Sequence, residues 1–525
     1  MTRYILAHDL GTSGNKATLF SENGELIKSV TVSYPAHYFN DTWVEQDADD
    51  WWNAVCRSSR QLIAEAGIAP EAIGAISFSG QMMGCLCVDK NGKPLRPSII
   101  WADQRAQKQV AQIEEHIDQQ SFYHIVGHRN TASYGVQKLM WIRDNEPEIY
   151  EQTYKALNAK DYITFKLTGK FYTEYSDANS FACFDINKLK WSEELIEYTG
   201  IDPDKLPEVK ESTFVAGGVT KEAAELTGLA EGTPVVLGAG DGVAANVGCG
   251  SITPGKTYCC MGTSAWITTT AEAPIFDEQM RTVTWAHAVP GLYAPNGTMQ
   301  YAGGSYNWLK NTICHAESAM AKEKGGSPYD YINKEVEGSP MGANGVIFLP
   351  YLLGERAPRW NAQAKGTWLG IKPETTRGDI LRSVLEGVTM NLDICLNILR
   401  TKMDISEIIC VGGGAKGEVW RQIMADIYQA KILVPTTLEE GSSMGAAVIG
   451  GVGSGIFKDF SAVDRFLKID SVQEPNPAAV EAYVPVKKAF DLYYNALADV
   501  YKMTASEKWV LLIFYGLMLD FKVRM

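Results

Sequence analysis

Two acidic residues stand where chemistry is easily built. Asp9 lies near the end of the apolar run Tyr4–Leu10 and precedes the turn Gly11-Thr12-Ser13-Gly14, with Lys16 just beyond it. Asp241 sits between Gly240 and Gly242, after the apolar stretch Val235-Val236-Leu237 and before the small-residue stretch Val243 to Gly248. The glycine turn offers successive backbone N–H groups and two hydroxyls, a concavity suited to phosphate oxygens. Asp9 cannot bind phosphate directly. It can hold a Mg2+ that does, because such sites combine one or two carboxylates with substrate phosphates. An acid needed only as a helix cap would not require glycine on both sides, so Asp241 is read as functional, placed where backbone can approach a ligand closely. An ordinary hairpin turn explains Gly11 to Gly14 equally well on that stretch alone.

The pattern returns. Gly262-Thr263-Ser264 again lies between two strand-like runs, about half a chain later. A repeated strand–turn–strand unit suggests two related domains, each offering a phosphate-binding hairpin. Ile408 to Val411 leads into Gly412-Gly413-Gly414-Ala415, a strand and a triple glycine on which the flat ring of an adenosine can lie. Gly441 to Ala447 opens a small-residue helix that can pack against that turn. Gln81-Met82-Met83, bounded by Gly80 and Gly84, ends a strand expected over residues 72–79, and α/β sheets collect ligands at such ends. Two core methionines in a tight bend fit the same letters. Asp103 and Arg105 follow the apolar Ser98-Ile99-Ile100 and can either hydrogen-bond a polyol or form a surface ion pair. Gly250 to Thr257 matches a nucleotide-binding P-loop letter for letter. That motif needs a strand before it and a helix after it, and this order is reversed here. Pro254 also removes one of the amides that would cradle phosphate.

The elements that must hold these residues are those of a large α/β protein. The chain has 525 residues, which points to two large domains. Hydrophobic residues make up 46% and charged residues 21%, ordinary for a globular protein. The net charge of -14 argues against nucleic acid or a membrane surface as partner, where a basic patch is expected. The ten cysteines include no C-x-x-C pair and read as buried reduced thiols. Strand-like sequence begins at Tyr4 without a signal peptide before it, so the expected location is cytoplasmic. Helices are expected over 51–65, capped by Asp49 or Asp50, from Lys160 to Gly169, and over 378–403. Trp509 to Leu519 is an unbroken apolar run, too short for a typical membrane helix and expected to be a buried terminal helix.

Taken together, the motifs resemble the FGGY family of carbohydrate kinases over about residues 3 to 500, and most closely its xylulose kinases. The resemblance rests on Asp9-Leu10-Gly11-Thr12-Ser13-Gly14, Lys160-Asp161-Tyr162, Phe348-Leu349-Pro350-Tyr351 with Gly354-Glu355-Arg356, and Gly412 to Ala415. Its strongest part is Gly366-Thr367-Trp368-Leu369-Gly370-Ile371 followed by Asp379 to Glu386. It implies an α/β fold of two ribonuclease-H-like domains, as in the actin, Hsp70 and sugar-kinase superfamily, around a cleft for ATP and sugar. The domains would span 1–247 and 248–503, with 504–525 as an atypical tail. The implied reaction moves the γ-phosphoryl group of Mg-ATP to a hydroxyl of a small ketose. Asp241 would be the base and Asp9 would serve Mg2+. Gly11, Thr12, Ser13, Lys16, Gly262 and Thr263 would hold phosphates, and Gly413, Gly414 and Ala415 the adenosine. Gln81, Met82, Met83, Asp103, Arg105 and Asp241 would face the sugar. A second copy of the chain is the one protein partner considered.

Two positions depart from the xylulose-kinase pattern: Met83 stands where those enzymes usually have His, and Gly242 where they usually have Asn. Another ketose, a sugar acid or a polyol is the alternative substrate. A nucleotide switch of the same superfamily is the alternative class.

Overall fold

The structure, a computed structural model, describes residues 3–504. The apolar run Trp509 to Leu519 lies outside the described residues. The chain forms two compact units. The first comprises the chain up to Tyr258 together with Thr268–Pro295 and Glu439–Lys468. The second comprises Cys259–Ile267, Asn296–Leu438 and the described residues from Ile469 to Thr504.

The first unit is built on a sheet of β1 (Tyr4–Leu10), β2 (Gly14–Ser21), β3 (Leu26–Ser33), β4 (Ile73–Gly80), β5 (Val215–Gly218), β6 (Pro234–Val236) and β7 (Ala239–Gly240). The strand order is β5-β6-β4-β1-β2-β3, with β7 beside β4. β1, β2 and β3 form an antiparallel meander. β1, β6 and β7 all run parallel to β4. Both faces of this sheet are covered, which is why β1 reads as a nearly continuous apolar run rather than an alternating one. Leu6 and Leu10 pack with Trp51, Val55 and Leu62 of the helix Ala48–Ala66. Ile5 and Ala7 pack on the other face, with Val243, Ala244 and Val247 of the helix Asp241–Gly248. Because strand side chains alternate, Asp9 shares the face of Ile5 and Ala7, the face that this helix covers.

The cap of the helix Ala48–Ala66 is Asp47, whose carboxylate accepts the Asp49 N–H at 2.9 Å. The sequence pointed to Asp49 or Asp50. Both instead fall in the first helical turn, where negative charge meets the positive end of the helix dipole.

The small-residue helix Gly441–Gly453 finds its partner in the helix Asp241–Gly248. The glycines explain how close the two backbones come. A Cβ on Gly445 would lie 1.8 Å from the Ala244 carbonyl oxygen, and one on Gly248 would lie 1.9 Å from that of Gly441. Gly→Ala inside a helix normally stabilises by about 0.5–1 kcal/mol. Here the sign is expected to reverse: Gly445→Ala should destabilise by about 1–3 kcal/mol, the range of overpacked cores. Urea denaturation checks this, and an unchanged or higher midpoint would refute the close approach.

A second sheet is built from β8 (Thr257–Met261), β9 (Ala265–Thr269), β10 (Tyr293–Met299), β11 (Glu407–Val411), β12 (Lys431–Pro435) and β13 (Ile469–Gln473), in the order β10-β9-β8-β11-β12-β13, with the strand Val283–Ala286 at the edge beside β10. The long helix Arg377–Arg400 is mostly buried and begins at Thr376, whose hydroxyl accepts the Asp379 N–H while Asp379 accepts the Thr376 N–H. The protein thus carries two mixed sheets with covering helices, the two-domain ribonuclease-H-like fold expected from the sequence. Among the described residues no helix is long and apolar enough to cross a membrane.

Candidate active site

In the first unit, three parallel strands end side by side. Leu10 of β1 and Gly240 of β7 both pair with Gly80 of β4. Asp9 therefore sits one residue before the end of β1, and Asp241 one residue past the end of β7. Carboxyl ends of parallel strands are where α/β sheets bind ligands. The Ser79 hydroxyl donates to Asp9 Oδ1 at 2.8 Å. Burial lifts the Asp9 carboxyl above its ordinary pKa, with Ser79 and Lys16 opposing.

Asp241 opens the helix Asp241–Gly248 and keeps solvent access, although most of its surroundings are protein. Those surroundings raise its pKa to about 6; desolvation is the main cause and the Asp9 carboxylate the second, while the Gly242 N–H, donating to Oδ1 at 2.7 Å, acts against them. An accessible carboxylate with a pKa near neutrality is suited to accept a proton. Gly240 is dictated by Met82: a Cβ at 240 would meet the Met82 sulfur at 2.5 Å. Gly242 has no such constraint, since a Cβ there meets nothing within 4 Å.

The turn after β1 is closed by the Gly11 N–H donating to the Gly14 carbonyl at 3.0 Å. The Tyr34 hydroxyl donates to the Gly11 carbonyl at 2.6 Å, and Trp101 Nε1 donates to the Thr12 hydroxyl at 2.8 Å. Ser13 is exposed. Lys16 points to the start of the helix Gly441–Gly453, with its ammonium 2.5 Å from Glu440 and 3.1 Å from the Glu439 carbonyl. Lys16 is therefore already engaged by a carboxylate.

The Gln81–Gly84 loop is pinned from several sides. The Gln81 N–H donates to the Leu10 carbonyl at 2.8 Å, and its amide donates to Gln46 Oε1 at 2.7 Å. Gln46 also donates to the Thr12 carbonyl at 2.6 Å, so one buried amide ties the Gly11–Gly14 turn to this loop. Met82 is buried. Met83 is half-buried and has φ of 64°, a left-handed conformation uncommon for its type. The Met83 carbonyl accepts the Lys138 ammonium at 2.7 Å. Burial pulls that ammonium down to about 7, against the pull of the Asp103 carboxylate.

Asp103 and Arg105 form the ion pair that is one of their two readings, but a buried one rather than a surface one. Asp103 is fully buried, and its oxygens are used by the Val44 N–H and by the Arg105 backbone and guanidinium. Arg105 Nη1 lies 2.7 Å from Glu45, and the guanidinium stacks 3.9 Å from the Trp43 ring centre. These contacts satisfy both side chains inside the protein and make them a structural pair. Ser79, Gln46 and Tyr34 escaped the sequence reading because a single polar residue at a strand end carries no pattern.

In the second unit, the turn Gly262 to Ser264 is held on the start of the helix Gly303–Thr312. The Gly303 N–H donates to the Gly262 carbonyl at 2.9 Å, and the Ala302 N–H to the Thr263 carbonyl at 2.8 Å. Thr263 is exposed. Gly412 has φ of 87° and a Cβ there would lie 2.8 Å from the Met261 carbonyl oxygen. Gly413 is open, Gly414 is backed by Met261, and Ala415 is buried. The P-loop-like stretch is a turn after the helix Asp241–Gly248 and before β8, the order that excludes that motif. The strongest sequence motif proves structural: Trp368 Nε1 donates to the Ser383 hydroxyl at 3.1 Å, and Glu386 binds Arg382 at 2.6 Å and the Tyr483 hydroxyl at 2.6 Å. Among the described residues, no group of three His, Cys, Asp or Glu side chains could hold a metal by itself.

The models of the FGGY family of carbohydrate kinases match twice, the N-terminal domain over residues 4–248 and the C-terminal domain over residues 257–454. The chain is 34% identical to a xylulose kinase of Staphylococcus epidermidis over 95% of its own length and 97% of the relative. It is 30% identical to a gluconokinase of Bacillus licheniformis over 97% of its length and all of that protein. The crystal structure of a ligand-bound xylulose kinase from Lactobacillus acidophilus matches with a TM-score of 0.89 at 27% identity, covering 96% of this chain and 100% of that one. With both family models matched across most of its length, and with Asp9 and Asp241 at the ends of the two strands that flank β4, the chain belongs to the FGGY family of carbohydrate kinases.

Proposed function

We propose that this enzyme transfers the γ-phosphoryl group of Mg-ATP to a hydroxyl of a small ketose of the xylulose type. The observation that carries this reading is Asp241, accessible and raised to about 6, with the Asp9 carboxylate contributing, the two acids lying at the ends of the strands that flank β4. Asp241 takes the proton of the attacking hydroxyl. Phosphoryl transfer otherwise depends on positioning and charge neutralisation. Gly11, Thr12 and Ser13 in the first unit and Gly262 and Thr263 in the second hold phosphates, and Gly413, Gly414 and Ala415 take the adenosine. Gln81, Met82 and Met83 face the sugar. Asp9 fits as a Mg2+ ligand: burial lifts its carboxyl above the ordinary pKa and its charge in turn raises Asp241, so a cation beside Asp9 relieves both. Bound there with the nucleotide, Mg2+ would neutralise phosphate charge. The xylulose preference draws support from the similarity to xylulose kinases, and gluconate is the second reading, supported by the gluconokinase relative.

An ADP-release assay with D-xylulose, L-xylulose, D-ribulose, L-ribulose, gluconate and glycerol tests the proposal. Sugar-stimulated ADP formation with a ketose phosphate as product is expected. ADP formation that no sugar raises would refute the kinase and favour a nucleotide switch.

A further inference from the structure

Behind the paired acids lies a buried charge cluster that the proposed reaction does not use. The Lys160 ammonium, wholly buried, lies 3.1 Å from Asp161, 3.2 Å from Glu174 and 3.0 Å from Asp177. One buried cation facing three buried carboxylates leaves excess negative charge. Burial pushes the Asp177 carboxyl well up, with Lys160 opposing and Asp161 and Glu174 adding to it. Such a cluster is costly to assemble in an apolar interior. It caps the short helix Tyr175–Ser180, since Glu174 accepts the Ser176 N–H at 2.8 Å and the Asp177 N–H at 2.9 Å.

Three hydrogen bonds run outward from this helix region to backbone at the site. The Ser176 hydroxyl donates to Glu174 at 2.5 Å and accepts the Gly240 N–H at 2.9 Å, one residue before Asp241. The Ser180 hydroxyl donates to the Asp177 carbonyl at 3.0 Å and accepts the Met83 N–H at 3.0 Å. Asn158 donates to the Asp177 carbonyl at 3.3 Å and accepts the Gly84 N–H at 2.8 Å. Lys160 also fills the space beneath Gly80, where a Cβ would lie 3.2 Å from its own.

We infer that the helix Tyr175–Ser180 is a common anchor for the reaction centre: Ser176 positions the backbone that carries Asp241, and Ser180 positions the Gln81–Gly84 loop that faces the sugar. Neither serine touches substrate. Each sets the distance between the base and the hydroxyl it serves, and displacement by about 1 Å can cost 10²-fold in rate. The inference rests on the kinase reading and deepens it.

The test compares three single-hydroxyl deletions. Ser176→Ala is expected to lower kcat by about 10-fold or more. It should also shift the acid limb of the kcat/KM profile, with the KM values for sugar and ATP unchanged. Ser180→Ala is expected to raise the sugar's KM and leave the KM for ATP unchanged. Ser212→Ala is the control: its hydroxyl donates to the same Glu174 at 3.0 Å, and no hydrogen bond of that hydroxyl to site backbone appears. It should lower Tm and leave the kinetics unchanged. Ser176→Thr, which keeps the hydroxyl, should restore kcat. If Ser176→Ala and Ser180→Ala are kinetically indistinguishable from Ser212→Ala, the anchor is merely structural and the inference falls. So it does if Ser176→Thr folds to the parental Tm yet stays as slow as Ser176→Ala. A parent enzyme that phosphorylates no sugar sinks the kinase reading instead.

Discussion

Asp241→Asn is expected to lower kcat by about 10²–10⁴-fold, the usual cost of losing a general base, while raising the melting temperature above neutral pH. The two effects share one cause. The carboxylate is held at about 6 because its charged form is desolvated and faces Asp9. A group whose folded pKa is raised binds protons more tightly folded than unfolded. For an acid this destabilises the fold once pH exceeds the unfolded value near 4, increasingly so up to the folded value. Asn has the same shape and no charge, so it removes the repulsion together with the proton acceptor. In the parent, the acid limb of kcat/KM should have an apparent pKa near 6, with activity lost as pH falls through it. Kinetics across pH 5–9 and thermal melts at pH 8 check both arms. A variant within threefold of the parent in kcat removes Asp241 from its role, and a lower Tm contradicts the raised pKa.

How far the sequence led depends on whether a residue's role is local. Glycine turns are local, so Gly11 to Gly14 and Gly262 to Ser264 were legible as turns between strands, and the small-residue helix after Asp241 was legible from its composition. Helix partners are not local. Gly441 to Ala447 could be read as a helix, but only the backbone contact of Gly445 with Ala244 shows which element demanded the glycines. The same limit explains Asp103 and Arg105. An acid and a base two residues apart fit a polyol and an ion pair equally well, and the contacts that bury the pair come from Glu45, Val44 and Trp43, far off in sequence. Ser176 and Ser180 were illegible for that reason too. Nothing in Tyr175 to Ser180 announces that its hydroxyls reach Gly240 and Met83. The motif that most clearly marks the family, Trp368 with Asp379 to Glu386, is tied by hydrogen bonds into the second unit's core, so recognising it gave membership without chemistry.

The second large effect concerns the sugar, and here the two departures have a physical reading. A hydroxyl buried without a partner costs about 1–3 kcal/mol, and about 1.4 kcal/mol corresponds to tenfold in rate. Losing both a His at 83 and an Asn at 242 therefore predicts a D-xylulose kcat/KM lower by roughly a hundredfold than the same pocket would give with those partners. The structure allows both to be restored. Gly242 has open space around its Cβ position, so the Cβ of Gly242→Asn meets no neighbour. Met83 holds φ of 64°, a region in which His and Asn are enriched over most side chains, so Met83→His should be accepted by the backbone as it stands. The Met83 N–H and carbonyl are fixed by Ser180 and Lys138, which keeps the new imidazole in the same loop geometry. The expected result is that Met83→His with Gly242→Asn raises kcat/KM on D-xylulose by about a hundredfold, while gluconate and glycerol gain nothing. Measuring all six substrates on the parent, both single variants and the double variant separates the contributions. A parent that already prefers D-xylulose a hundredfold over every other substrate would show that the departures leave specificity alone. A double variant that gains equally on all substrates would show that neither position meets a sugar hydroxyl.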